Sequence, residues 1–223
     1  MQSSMETIDA GGVGLHLFLP AGYGVRPSHR YPLLLSLGDL EAAAGLAALN
    51  AEGVVPEFLV AGISPELATG TIPDPAEIVA VIASRYRLLE TPSARWIAGT
   101  GHWAIPALEA LLDHPEVFGA AACLSSSFEG FEEAPPIHSR ALRSLEDRLS
   151  LPSGVRLYCD YGTLGIDECY EPYHRDLGGI LRGKGWCDER EFRITRIPGG
   201  SHTSASWQKR LNPALRWLAS RHN

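Results

Sequence analysis

The 223-residue sequence has four cysteines and no CxxC pair; Cys123, Cys159, Cys169 and Cys187 are scattered. That spacing argues against a zinc knuckle or a dithiol redox motif and favours core or surface thiols. No stretch approaches the roughly 20 consecutive apolar residues that a membrane-spanning helix needs, so no membrane partner is expected. The opening "MQSSMETIDAGGVGLHLFLP" lacks a basic start followed by an apolar run. Neither a secretory signal nor a transit peptide is read there, and the expected location is cytoplasmic. Positive charge is also short: the formal net charge is −7, which gives no general attraction for nucleic acid. Repeats, low-complexity tracts and long linkers are missing too.

What remains is the composition of an ordinary globular chain, 45% apolar and 20% charged, of a length that suits one α/β domain over residues 1–223. Short strand-like runs alternate with helix-like stretches. The strand candidates are "VGLHLFLP", "YPLLLSLG", "PEFLVAGIS", "ARWIAGTG", "FGAAACLSS", "VRLYCDYG" and "EFRITRIPG". Several are too continuously apolar for a sheet with one wet face, which predicts a mostly parallel sheet with helices on both faces. Ile78, Ile82, Tyr86 and Leu89 recur at helical spacing after the Asp74–Pro75 start signal. Two further apolar faces are Tyr173, Leu177, Ile180 and Leu181, and Trp207, Leu211, Leu215 and Leu218. Segment 126–153 is the least regular; its acidic, proline-rich first half reads as a surface excursion or lid and its second half as helical.

"RWIAGTGHWAIPALEALLDHPEVFG", residues 95–119, reads as a buried strand, a sharp turn at Gly101 and an amphipathic helix. Pro106 would remove an N–H and crowd the preceding turn if the helix began at His102, so the start is predicted nearer Ile105.

From about Leu15 to Leu218, and most strongly in "HPEVFGAAACLS" and "PGGSHTSASW", the sequence resembles the esterase family of α/β-hydrolases that contains esterase D-like and enterochelin esterase-like enzymes. The resemblance implies a serine hydrolase: a Gly-x-Ser-x-Gly turn, an acid after a later strand and a histidine in the last loop. Here the turn reads Gly99, Thr100, Gly101, His102, Trp103. Gly101 stands at the implied serine and Trp103 at the implied second glycine. The resemblance puts the base at His202. Where it implies an acid after a Gly-Thr pair, Leu164 and Gly165 follow Gly162 and Thr163, with Asp167 and Glu168 just beyond as substitutes. On the oxyanion side, Leu37–Gly38 replaces the implied His-Gly.

Other hydroxyls stand close to these positions. Thr100 precedes the turn and reads as structural. Ser125, Ser126 and Ser127 end a core strand near the site and read as cleft lining or turn formation. Ser201 and Ser204 flank His202 and read as shaping its loop or capping the last helix. His102, His202 and Asp167 form either a metal-binding set or, preferably, hydrogen-bonded groups in a polar cleft, so neither metal nor cofactor is expected. Trp103, Phe128, Phe131, Trp186 and Trp207 line the cleft or fill the core.

These residues together predict a degenerate site in a non-catalytic pseudoenzyme that binds a small molecule or a protein partner through His102, Trp103, Gly38 and Ser125. A working ester hydrolase that uses another nucleophile or histidine-activated water is the alternative, and a scaffold or homo-oligomer subunit is a third.

Overall fold

The computed structural model describes residues 3–10, 12–38, 42–63, 73–128 and 140–220. Eight strands form one sheet: β1 (Ser4–Asp9), β2 (Gly14–Leu19), β3 (Leu33–Leu37), β4 (Leu59–Ile63), β5 (Arg95–Thr100), β6 (Ala120–Leu124), β7 (Arg156–Leu164) and β8 (Phe192–Ser201). Their spatial order is β1-β2-β4-β3-β5-β6-β7-β8. β1 and β2 pair antiparallel, as do β2 and β4, and every pairing from β4 through β8 is parallel.

The continuously apolar strands are buried on both faces. Leu33, Leu35 and Leu37 of β3 face one core, and Leu34 faces the other with Trp96, Ala98, Ala122 and Tyr158. On the first face pack α2 (Pro75–Arg85), α3 (Ala104–Asp113), α4 (Arg140–Asp147) and α5 (Glu171–Gly183). The second face is covered by α1 (Ala42–Ala51) and α6 (Ser204–Ala219). Trp207, Leu211, Leu215 and Leu218 are buried along α6, as their spacing predicts. Among the described residues no helix is long and apolar enough to cross a membrane.

One helix boundary differs from the sequence reading, and another, the start of α3 near Ile105, is met to within one residue. α2 stops at Arg85, and Tyr86 turns extended so that its hydroxyl donates to Glu6 Oε2, 2.8 Å away. Past the helix the chain runs on to Leu88, which bridges in parallel to Tyr31 just before β3. α3 is preceded by a 3-10 turn, Gly101–Trp103, and its α-helical part begins at Ala104, which leaves Pro106 in the first turn. β1 and α1 were not anticipated. Within segment 126–153, α4 supplies the helical half, and residues 129–139, which carry the acidic and proline-rich part, lie outside the described residues.

Candidate active site

The site lies at the carboxyl ends of the parallel strands, where open α/β sheets place their ligands. β5 delivers Gly101 into the turn, β7 ends at the segment that carries Asp167, and β8 ends at Ser201, one residue before His202.

Gly101 has φ +56°, a left-handed conformation that costs any residue with a Cβ. A Cβ built there would lie 2.9 Å from His202 Nε2 and 3.8 Å from Trp207 Cζ2. The turn therefore aims its bend at an imidazole nitrogen while presenting no side chain to it.

The His202 ring is held on its other side. Its Nδ1 lies 2.8 Å from Asp167 Oδ1, and because an ionised carboxylate only accepts, Nδ1 carries the proton and Nε2 is an acceptor in the neutral ring. Trp207 and Tyr170 meet the ring edge-on, with centroids at 4.9 and 5.8 Å. Asp167 is fully buried, whereas Glu168 beside it is exposed. Burial alone would raise the Asp167 pKa. The hydrogen bonds from His202 and Ser125, the Arg210 charge and the Gly162 N–H outweigh that, and the carboxyl lies below its ordinary value.

Behind Asp167 is a buried polar network. Ser125, at φ +49°, donates its hydroxyl to Asp167 Oδ2 at 2.5 Å and accepts from Trp207 Nε1 at 2.9 Å and from Arg210 Nη2. Arg210 is 4% exposed and pairs with Asp160 Oδ1 at 3.1 Å and Asp167 Oδ2 at 3.4 Å. The Ser125 N–H also donates to Asp160. Burial pushes Asp160 up to about 7 against the pull of Arg210 and the Ser125 N–H, and its Oδ2 has no partner among the described residues. Next to this network, burial pushes His174 down to about 4.

Ser125 is thus a correction: it does not line the cleft but is wholly buried and turned inward onto the acid. Ser126 is buried as well and donates to the Cys123 carbonyl. Thr203, not Ser204, caps α6 by accepting from the Ser206 N–H, and the Ser201 carbonyl accepts from Arg210. Trp186 and Phe128 belong to the core, and Trp207 serves both the core and the His202 contact. Phe131 lies outside the described residues.

On the far side of Gly101, Trp103 lies against Gly38. Gly38 has φ +81° and is buried, and a Cβ there would come within 2.6 Å of Trp103 Cδ1. His102 is exposed and its ring lies tilted against Trp103, with centroids 4.8 Å apart. Burial and then the neighbouring His202 lower its pKa. Among the described residues, no group of three or more His, Cys, Asp or Glu side chains could hold a metal ion.

Sequence reasoning missed Asp160 and Arg210. Their signal was a charge on a strand buried on both faces and another beside Leu211 on the apolar face of α6.

No protein-family model matches the sequence, and no curated protein matches it. Solved structures do match. A ferulic acid esterase superposes with a TM-score of 0.76 at 14% identity, covering 98% of this chain and 97% of that one. Ferric enterobactin esterase from Salmonella typhimurium gives 0.74 at 18%, covering 98% of this chain but only 58% of the longer enzyme. S-formylglutathione hydrolase from Staphylococcus aureus gives 0.65 at 13%, covering 98% and 96%. This chain therefore has the α/β-hydrolase fold of esterase-type proteins.

Proposed function

We propose that this chain keeps the acid–base half of an esterase site, lacks its nucleophile, and acts by binding a small molecule beside His202 rather than by serine-dependent ester hydrolysis. The observation that carries this reading is the glycine at the bend: the backbone of Gly101 faces His202 Nε2 and offers it no hydroxyl or thiol. In a serine hydrolase, removal of the serine alone costs on the order of 10⁶ in kcat, and the roughly 10³–10⁴ over water that survives depends on binding and the oxyanion hole. Here the oxyanion side also departs, because Trp103 occupies the space against Gly38. A hydroxyl, amide or backbone donor aimed at the developing charge is what that position would need.

A second reading is favoured by one feature. Asp167 and His202 form an oriented acid–base pair, the arrangement that would activate a water. Turnover of short p-nitrophenyl esters separates the two. The binding reading expects wild type to turn over no faster than His202→Ala. Robust hydrolysis abolished by His202→Ala would establish the water mechanism instead.

A further inference from the structure

We infer that a cavity between α1 and the strands β2 and β4 is a second binding site, separate from the one beside His202, and that it takes a small primary amine with an apolar body.

The cavity has a volume of about 450 Å³, within the roughly 300–1,000 Å³ of small-molecule sites. It is open because of what α1 is made of. Ala43, Ala44 and Ala47 line it from the helix, and Phe18 and Phe58 line it from the sheet. One methyl group per helix position leaves the space that a larger side chain would fill. The cavity lies at the amino ends of the parallel strands, where Glu57 and Phe58 lead into β4. Gly101, Asp167 and His202 stand at the carboxyl ends, and none of them lines it.

The polar groups that border the cavity define the head of the ligand. Asn50 donates through Nδ2 to the Val55 carbonyl at 2.9 Å, which leaves Oδ1 as an acceptor without a partner among the described residues. The Glu57 carboxylate accepts from the Gly22 N–H at 3.1 Å and from Arg26, an exposed side chain that does not line the cavity. A carboxylate offers about four acceptor sites, so further donors can be taken. Among the described lining residues there is no Lys, Arg or His. An ammonium group therefore meets a carboxylate and an amide oxygen, whereas an anionic head would meet two acceptors and no lining cation. The formal net charge of −7 acts in the same sense. The Phe18 and Phe58 rings provide the wall against which the apolar body leaves water.

Phenethylamine, phenethyl alcohol and hydrocinnamate share a body and differ in the charge of the head. Each is titrated into the full chain by calorimetry while backbone amides are followed by NMR. The amine is expected to bind about tenfold more tightly than the alcohol, the weight of one charge-assisted hydrogen bond, and to move the Gly22 and Phe58 amides; hydrocinnamate is expected to bind least. Glu57→Gln, which keeps an acceptor for Gly22, should bring amine and alcohol within about twofold of each other. Ala47→Phe, at an exposed helix position, should fill the cavity and abolish binding with little change in melting temperature, and His202→Ala should leave binding unchanged. Should Ala47→Phe fail to fold, Glu57→Gln and the amide shifts decide. Tighter binding of hydrocinnamate, equal binding of the three probes, no binding of any, or amine binding that survives a folded Ala47→Phe would each overturn the inference. So would a concentration-dependent dimer that Ala47→Phe abolishes, because the occupant would then be a second copy of the chain.

Discussion

The two halves of the site are built to different standards of polar completeness. On the acid–base half, a carboxylate with no exposure accepts from His202, Ser125, Arg210 and a backbone N–H, which is what a buried charge requires. Around the turn after β5, Gly101 faces His202 and the Trp103 indole covers Gly38. The difference teaches that the network around Asp167 is a structural element: Arg210 ties Ser125 after β6, Asp160 within β7 and the end of β8 to α6.

The largest effect is expected on the networked half. Asp167→Ala leaves Arg210 short of a partner in a buried setting, and loss of about 3–5 kcal/mol is expected in urea unfolding. A cost below about 1 kcal/mol would break the comparison.

The next prediction separates the two carboxylates of that half. Burial pushes the Asp160 carboxyl up to about 7 from its ordinary 3.8. Its folded pKa is raised, so the unfolded chain releases the proton first and the Asp160 contribution to stability falls as pH rises between these values. Relative to wild type, Asp160→Asn should therefore gain about 2–4 kcal/mol between pH 4 and pH 8. His174 acts in the opposite sense. Its folded pKa is lowered to about 4 from 6.5, so acidification through that window protonates the unfolded chain first and destabilises the fold. With Asp160 neutralised, unfolding measured at several pH values should show stability rising from pH 4 to 6.5.

A smaller effect is expected on the other half. Gly38→Ala combines φ +81° with a 2.6 Å approach to Trp103 and should cost about 1–3 kcal/mol. Adding Trp103→Ala should return part of that loss, and the double-mutant cycle measures how much of it is the indole contact.

The sheet was legible because its central strands are apolar without interruption, the pattern of strands covered on both faces. β1 escaped because "SMETID" is a margin strand with nearly every residue exposed, and it carries no burial pattern to read. α1, "AAAGLAALNA", is mostly alanine, and only Leu46 and Leu49 mark its buried side among larger residues. That Gly101 lies in the turn after β5 and His202 just past the end of β8 follows from residue order along the chain. The duty of Ser125 does not, because a serine that ends a strand reads alike whether its hydroxyl faces a cleft or a buried carboxylate. Asp167 was distinguishable from Glu168 only in three dimensions, where one faces His202 and the other solvent.

Intact-mass spectrometry after exposure to a fluorophosphonate or an activated ester tests the central claim most directly. The account predicts no adduct on the wild-type chain, because the bend that faces His202 carries no nucleophile. A stoichiometric adduct on one wild-type side chain, lost in His202→Ala, would contradict it.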